Sequence, residues 1–354
     1  MSTEAGTETP ATSSGSVARA VAQDRRPAPG SPQDARRYVN LWREPEALGG
    51  ERTTAFVLIL RTRGCYWADL KGCTMCGYAR DTLGRSATEE EVAEQVDRAL
   101  LEYRGEPYVK IFTSGSFFDE REVPLPSRAR IASAFQGKAR RLLVETLPEF
   151  VDEANVKALK EALGGEIEIS LGLESAQEEV LRRAVNKNSP PSAYFEAAAR
   201  VRRGGGSPKA YLLLKPPYLT EREAIEDTVL SVRLASEHFD TLSINPVHLQ
   251  GGTVVEHLFR RGLYRPPWIW SLVETLVRGA AERKKGTRLV SFPTSGGNRR
   301  GVHNCFSCDR ALLSAIEEAS LSQDFGPLER LPTCPCQERW RLEQALEPLA
   351  PETT

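Results

Sequence analysis

The 354-residue sequence lacks long apolar runs, carries almost no net charge, and confines its few cysteines to two short segments. Each shortage excludes something. The longest clean apolar run, Ala55-Phe56-Val57-Leu58-Ile59-Leu60, has the length of a strand and falls far short of a bilayer span. The N-terminal stretch has no apolar segment of the signal-peptide kind, so the expectation is a cytoplasmic protein without a membrane partner. A formal charge of −1 means that any nucleic-acid footprint must be local. No cysteine lies between Cys76 and Cys305. Seven cysteines cannot all pair, and a reducing compartment disfavours disulfides, so two tight groups point to metal ligation. Residues 1–36 are rich in Ser, Thr, Ala, Pro and Gly and lack apolar periodicity. Such a segment buries too little surface to offset its ordering entropy, and it is expected to be a disordered tail. No internal repeat is evident.

From residue 55 onward, short apolar runs alternate with helical patterns. Expected strands are Phe56–Leu60, Tyr108–Phe112, Arg141–Glu145, Ile167–Leu171, Ala210–Leu214 and Leu242–Ile244. Capping boxes are expected at Thr88 to Glu91, Ser175 to Glu178 and Thr220 to Glu223. Behind the first, Val92, Val96, Ala99 and Leu100 recur at helical spacing. Six strand–helix alternations imply a parallel sheet with helices outside it. An open doubly wound sheet and a partial six-stranded barrel both fit this pattern. In either, the chemistry belongs at the C-terminal ends of the strands, where the loops converge.

The first cysteine group, Cys65-x7-Cys73-x2-Cys76, follows the first expected strand directly. Three thiolates on one glycine-punctuated loop suit a [4Fe–4S] cluster with one iron left open for a cofactor's amino and carboxylate groups. A structural zinc site normally takes four ligands, and no fourth Cys or His lies nearby in sequence, so zinc with a distant fourth ligand and unligated core cysteines are the alternatives. Downstream, each strand end carries polar residues. Thr113-Ser114-Gly115-Ser116 ends the second, with a glycine that allows close backbone approach and two hydroxyls. Glu145 closes the third strand and Glu174 the fourth, with Asn186-Lys187 soon after. Both carboxylates could accept from ribose hydroxyls or an ammonium, or could simply start a helix or form a local salt bridge. Lys215, ending the fifth, could hold a carboxylate or simply be solvated at the surface, and Asn245-Pro246-Val247 ends the sixth.

A three-cysteine loop after the first strand, together with these strand-end motifs, resembles the radical S-adenosylmethionine (SAM) superfamily. The match runs over residues 50–345. Within the superfamily it is most similar to the archaeosine-biosynthesis family called RaSEA. The gap between Cys65 and Cys73 is wider than the commonest Cys-x3-Cys-x2-Cys pattern and narrows the resemblance to some subfamilies. The resemblance implies an α/β fold, a partial (β/α)6 radical SAM barrel over residues 37–286, with a small C-terminal metal-binding module over 287–354. It implies SAM held by Ser114, Gly115, Ser116, Glu145, Glu174 and Lys215, and a cluster on Cys65, Cys73 and Cys76. It also implies a lyase that breaks a C–N bond of a lysine-bearing 7-deazaguanine in the tRNA D-loop, leaving the formamidine of archaeosine. The partners so implied are tRNA, a lysine-transferring archaeosine synthase subunit and an external electron donor. Methylthiotransferases are disfavoured because no cysteine precedes Cys65, and Elongator-type enzymes because little chain follows Asn304. Another radical SAM tRNA-modifying enzyme is one alternative, and a subunit that binds tRNA through a merely structural cluster is the alternative of a different class.

Cys305-x2-Cys308 and Cys334-x-Cys336 form the second group. Four thiolates in short-spaced pairs read as a tetrahedral zinc site or an auxiliary Fe–S cluster, with His303 as a substitute ligand or outer donor. No acidic residue occurs between Arg283 and Cys308, a stretch holding Arg283, Lys284, Lys285, Arg288, Arg299 and Arg300. That segment suits phosphates or is a solvated loop. Tyr264, Trp268, Trp270 and Phe292 are either base-stacking residues or core.

Overall fold

The computed structural model describes residues 34–346. One eight-stranded sheet, in the order β1 to β8, forms the centre. The strands are β1 (Asn40–Leu48), β2 (Glu51–Ile59), β3 (Tyr108–Phe112), β4 (Arg141–Thr146), β5 (Glu166–Glu174), β6 (Ser207–Leu214), β7 (Thr241–Pro246) and β8 (Arg288–Val290). From β2 to β8 every pairing is parallel, and β1 folds back on β2 as an antiparallel edge. The longer helices are α1 (Glu89–Leu100), α2 (Leu125–Ala134), α3 (Glu153–Leu163), α4 (Pro191–Arg203), α5 (Glu221–Ala235), α6 (Ile269–Glu282), α7 (Asp309–Ser322) and α8 (Pro335–Leu346). The six strands expected from periodicity are β2 to β7. Two more, β1 and β8, join at the edges, because strands with mixed or short patterns are recruited by their neighbours.

The sheet rolls until its edges meet. Arg288 on β8 donates to the Ala47 carbonyl on β1 at 3.0 Å, so the partial barrel is spanned by side chains where backbone pairing stops. Alternation along the strands sets the two faces. Val109, Ile111, Ile167, Ile169, Leu171, Ala210 and Leu212 point outward into a continuous apolar layer beneath the helices. Their neighbours Lys110, Glu168, Ser170 and Lys209 are buried on the other face. Lys110 Nζ there donates to Glu44 at 2.7 Å and to Glu46 at 2.6 Å. Although burial opposes it, Lys110 and Lys209 together hold Glu46 down to about 2. This ionic network fills one end of the barrel, and the other end stays open.

Two of the three expected capping boxes form, at Thr88/Glu91 and Thr220/Glu223. The third does not. Ser175 Oγ instead donates to buried Asp227 at 2.7 Å and accepts from the Gln177 N–H, because a long-range carboxylate outcompetes the local cap. The expected tail lies outside the described residues up to residue 33. Residues 34–36 belong to the fold, since Ala35 is buried and its carbonyl accepts from Gln95. The boundary drawn at 286/287 falls just ahead of β8, which pairs with β7. Beyond it, Leu289, Val302, Leu312, Ile316, Ala319 and Trp340 share the apolar core of the barrel. The C-terminal segment therefore has no separate core, because its helices are too few to bury their apolar faces on one another.

Candidate active site and cysteine cluster

The loop after β2 carries Cys65, Cys73 and Cys76, and it is fastened to the segment after β5. Trp67 Nε1 donates to the Asn186 carbonyl (2.8 Å), and Asn186 Nδ2 returns a bond to the Gly72 carbonyl (2.7 Å). Thr74 adds backbone and hydroxyl bonds to Val185 and Ala184 at 3.0 and 2.6 Å. Asn186 takes a left-handed backbone (φ 63°), which asparagine tolerates better than most residues. All three cysteines line a single cavity of about 580 Å³ at the open end of the barrel. None of the seven cysteines is disulfide-bonded. Burial pushes the Cys65 thiol up to about 11, as expected of a thiol that ionises only against a cation.

The loop after β3 lies directly on the cysteine loop, and glycine is required at Gly115 for that contact. A methyl group there would collide with Glu122 and sit 2.6 Å from Cys65 Cα. Close approach is therefore demanded first by the protein's own cysteine loop. Glu122, not singled out in sequence, joins these pieces. It is fully buried, with one oxygen accepting from the Ser116 N–H (2.6 Å) and the other from the Thr62 hydroxyl (2.8 Å). Gly115→Ala is expected to force these loops apart, costing about 1–3 kcal/mol of overpacking and several-fold in retained iron. Iron per chain and melting temperature, measured together, check it; a variant with full iron would contradict the packing argument.

The remaining expected residues separate into two sets. Ser114, Gly115, Glu145 and Glu174 line the cavity with the cysteines. Ser116 and Lys215 are not among its lining residues. Ser116 Oγ is bonded to Thr146 at 2.5 Å. Lys215 is buried and ion-paired with Glu221 at the start of α5, so the carboxylate it holds is the protein's own. Lys187 takes a place in the cavity that charge alone did not reveal. Its ammonium lies 3.3 Å from Glu174, and Gly172 leaves the room for that pair. Glu174 itself has φ 67°, at a register shift in β5 that turns its side chain into the cavity.

Burial dominates the titration of the two other carboxyls. It pushes Glu122 up to about 7 and Glu145 up to about 8, the latter relieved only in part by the Thr113 N–H. Between about 4.5 and 8 the folded chain thus holds protons that the unfolded chain has released. Stability of the protein without its cofactors is expected to fall as pH rises through that window. Thermal melts from pH 4.5 to 8.5 should show the decline, and Glu122→Gln and Glu145→Gln should flatten it. Parallel curves for all three proteins would refute the assignment.

The second cysteine group is assembled as well. Cys305, Cys308, Cys334 and Cys336 place their sulfurs within 4.8 Å of one another, and among the described residues no other such group of ligand side chains occurs. Sulfur separations of 3.7, 3.7 and 3.6 Å match the edge of a tetrahedron built on bonds of about 2.3 Å to one ion. A cubane would hold its thiolates further apart, one to each iron. Cys65, Cys73 and Cys76 are not gathered to single-ion spacing, so the two groups suit different centres. Trp270 Nε1 donates to the Cys336 sulfur (3.2 Å) and Asn304 Nδ2 to that of Cys308 (3.5 Å), the outer bonds that orient thiolate ligands. Burial opposes it, but the Ser307 and Cys308 N–H groups and neighbouring thiols bring Cys305 down to about 6. His303 stands outside the group. Tyr264, Trp268 and Trp270 are core residues. Of the basic stretch, Arg283 binds Gln323, Lys284 pairs with Glu237, Arg288 bonds to Ala47, and Arg300 pairs with Glu256. Lys285 and Arg299 are exposed, and among the described residues no carboxylate pairs with either.

A parallel partial barrel with three loop cysteines at its open end defines a radical SAM enzyme, and residues 59–230 match the radical SAM superfamily. The chain belongs, within it, to the family of archaeosine synthase subunit beta. It is 36% identical over 305 residues to the protein of that name from Methanosarcina acetivorans, covering 85% of this chain and 88% of that one. To the Thermococcus kodakarensis protein it is 35% identical over 307 residues, with 84% and 94% covered. Among solved structures it is similar to Methanocaldococcus infernus Elp3 (15% identity, TM-score 0.48, 66% of this chain and 59% of that one). It is also similar to queuine lyase from Clostridium spiroforme (21% identity, TM-score 0.44, 61% and 82%). Among the described residues, no helix is long and apolar enough to cross a membrane.

Proposed function

We propose that this chain is the radical component of a two-subunit archaeosine synthase, acting in the cytoplasm on tRNA that a partner subunit has already loaded with lysine. Its substrate would be a lysine-bearing 7-deazaguanine nucleoside in the D-loop, and its reaction the cleavage of a C–N bond in the lysine portion to leave a formamidine. The observation that carries this reading is the convergence of Cys65, Cys73 and Cys76 on one wall of a cavity whose other walls bear Ser114, Glu145 and Glu174. The names of the curated relatives support the product and the existence of a partner subunit.

The residues present fit a [4Fe–4S] cluster: three cysteines face one cavity, at wider spacing than a single ion takes. When bound, with an external donor to reduce it, such a cluster supplies the electron that splits SAM and so a carbon radical for hydrogen abstraction. The chain's own part is to hold and to shield. Ser114 offers a hydroxyl, and Glu145 and Glu174 offer oxygens for a ribose or an ammonium. The Lys187–Glu174 pair, with side chains only 8% and 12% exposed, fixes one of these carboxylates in place. A radical formed in the cavity must be kept from water and thiols, which a barrel interior can do. We assign Zn²⁺ to the four C-terminal cysteines, on their tetrahedral spacing.

Reduced, cluster-loaded protein given SAM and lysine-modified tRNA should form 5′-deoxyadenosine and the formamidine nucleoside together. Formation of neither, with intact cluster and competent tRNA, would replace this reading by that of a tRNA-binding subunit.

A further inference from the structure

We propose that Phe306, backed by His303, is a stacking platform for one unpaired base of the RNA; this rests on the tRNA reading above. Phe306 sits inside the Cys305-x2-Cys308 turn and is 49% exposed. Its backbone is left-handed (φ 69°), a conformation in which glycine is free and a phenylalanine is strained. A half-exposed ring recovers little burial to offset that strain, so the turn itself would be better served by glycine. The ring lies parallel to that of His303, with centroids 5.2 Å apart and 3° between planes.

The His303 ring and the Phe306 backbone are both tied down. His303 Nδ1 lies 2.8 Å from the Gly301 carbonyl, so that nitrogen carries a proton and is engaged. The Phe306 N–H donates to Asp309 at 3.0 Å and the Asn304 N–H to the same carboxylate at 2.9 Å. Asp309 is buried and turned toward the backbone, so it does not repel an anion outside. A pre-ordered, exposed aromatic face is what base stacking requires, since every base presents a π-face.

The surroundings favour RNA over an apolar partner. The platform lies at the end of the stretch from Arg283 to Cys308 that has no acidic residue; exposed Arg299 stands four positions before His303, while Arg300 beside it is engaged by Glu256. Thr294, on the same stretch, lines the active cavity. One segment thus joins the cavity rim to the platform, so a strand whose modified base enters the cavity could rest another base on Phe306. Of the four aromatic residues read from sequence as base-stacking or core, Tyr264, Trp268 and Trp270 are buried and Phe292 is half-buried, which leaves Phe306 as the exposed aromatic ring of this stretch.

The test is tRNA binding by the iron- and metal-loaded full chain, with a transcribed tRNA as probe and salt varied. Phe306→Gly should weaken affinity about ten-fold, as losing one stacked base does, without altering the salt dependence. It should keep its metals and melt no lower than the parent, because backbone strain is relieved. Phe306→Trp should bind as the parent does. Arg299→Gln should lower the slope of log affinity against log salt by about one. The inference falls if Phe306→Gly binds tRNA like the parent, or if it loses metal or stability. It falls equally if that variant keeps tRNA but loses a protein partner. A parent chain that binds no tRNA would sink the tRNA reading as well, whereas 5′-deoxyadenosine formation without RNA reports on the radical chemistry alone.

Discussion

Replacing any one of Cys65, Cys73 and Cys76 by serine is expected to remove about four irons per chain and to reduce SAM cleavage to background. A serine hydroxyl does not ionise in the range where a thiol against a cation does, so it cannot stand in as a ligand. Within the loop Thr74 already bonds to the Ala184 carbonyl, and Asp69 pairs with Arg63. Three ligands are the minimum that leaves one iron open, and two would leave the centre prone to loss. Iron and acid-labile sulfide per chain, with 5′-deoxyadenosine as the activity readout, decide the matter. The metal at the C-terminal cysteines should stay. Iron retained in all three serine variants would show that the triad is not the cluster site. Because Cys65 is held up near 11 without a cation, loading should also release protons and proceed better at higher pH.

Loss of the second metal, by chelation or by Cys308→Ser, is expected to destabilise the C-terminal segment strongly while leaving the iron in place. In isolated small domains such a site supplies on the order of 10–16 kcal/mol of apparent binding energy. Here Leu312, Ile316 and Trp340 are already packed on the barrel core, so α7 and α8 keep part of their stability without it. A loss of several kcal/mol is the expected remainder, on the order of 10 °C in melting temperature for a chain of this size. Without the ion, four thiols whose sulfurs all lie within 4.8 Å of one another lose the attraction that gathers them. Hydrogen exchange should rise in α8 first, since of its residues only Trp340 is buried. An unchanged melting curve after complete metal removal would mean that packing alone holds this end of the chain.

Much of the site was legible because cysteine spacing and strand periodicity are local properties. The triad's position after β2 follows from an apolar run meeting a glycine-rich loop, and Glu145 and Glu174 follow from their places at strand ends. Glu122 carried no such sign, and Lys187 stood out only as part of a strand-end motif, without a role. One is an acidic residue in a loop after β3, the other a lysine after a turn, and only folding brings them against the cysteine loop. Lys215 is absent from the cavity lining for the same reason. Its strand-end position resembles that of Glu145, but a neighbouring helix start offers Glu221 as a partner.

By itself the sequence determined the parallel α/β order, two of the capping boxes and the two groups of thiols, since these depend on residues close together along the chain. Tertiary structure alone decided that β1 and β8 complete the rolled sheet and that the C-terminal cysteines stand at single-ion spacing. It also decided that three tryptophan and tyrosine side chains go to the core while Phe306 stays outside. The reason is physical: side-chain burial and ion pairing are settled by groups distant in sequence, and no local pattern states which of them will meet.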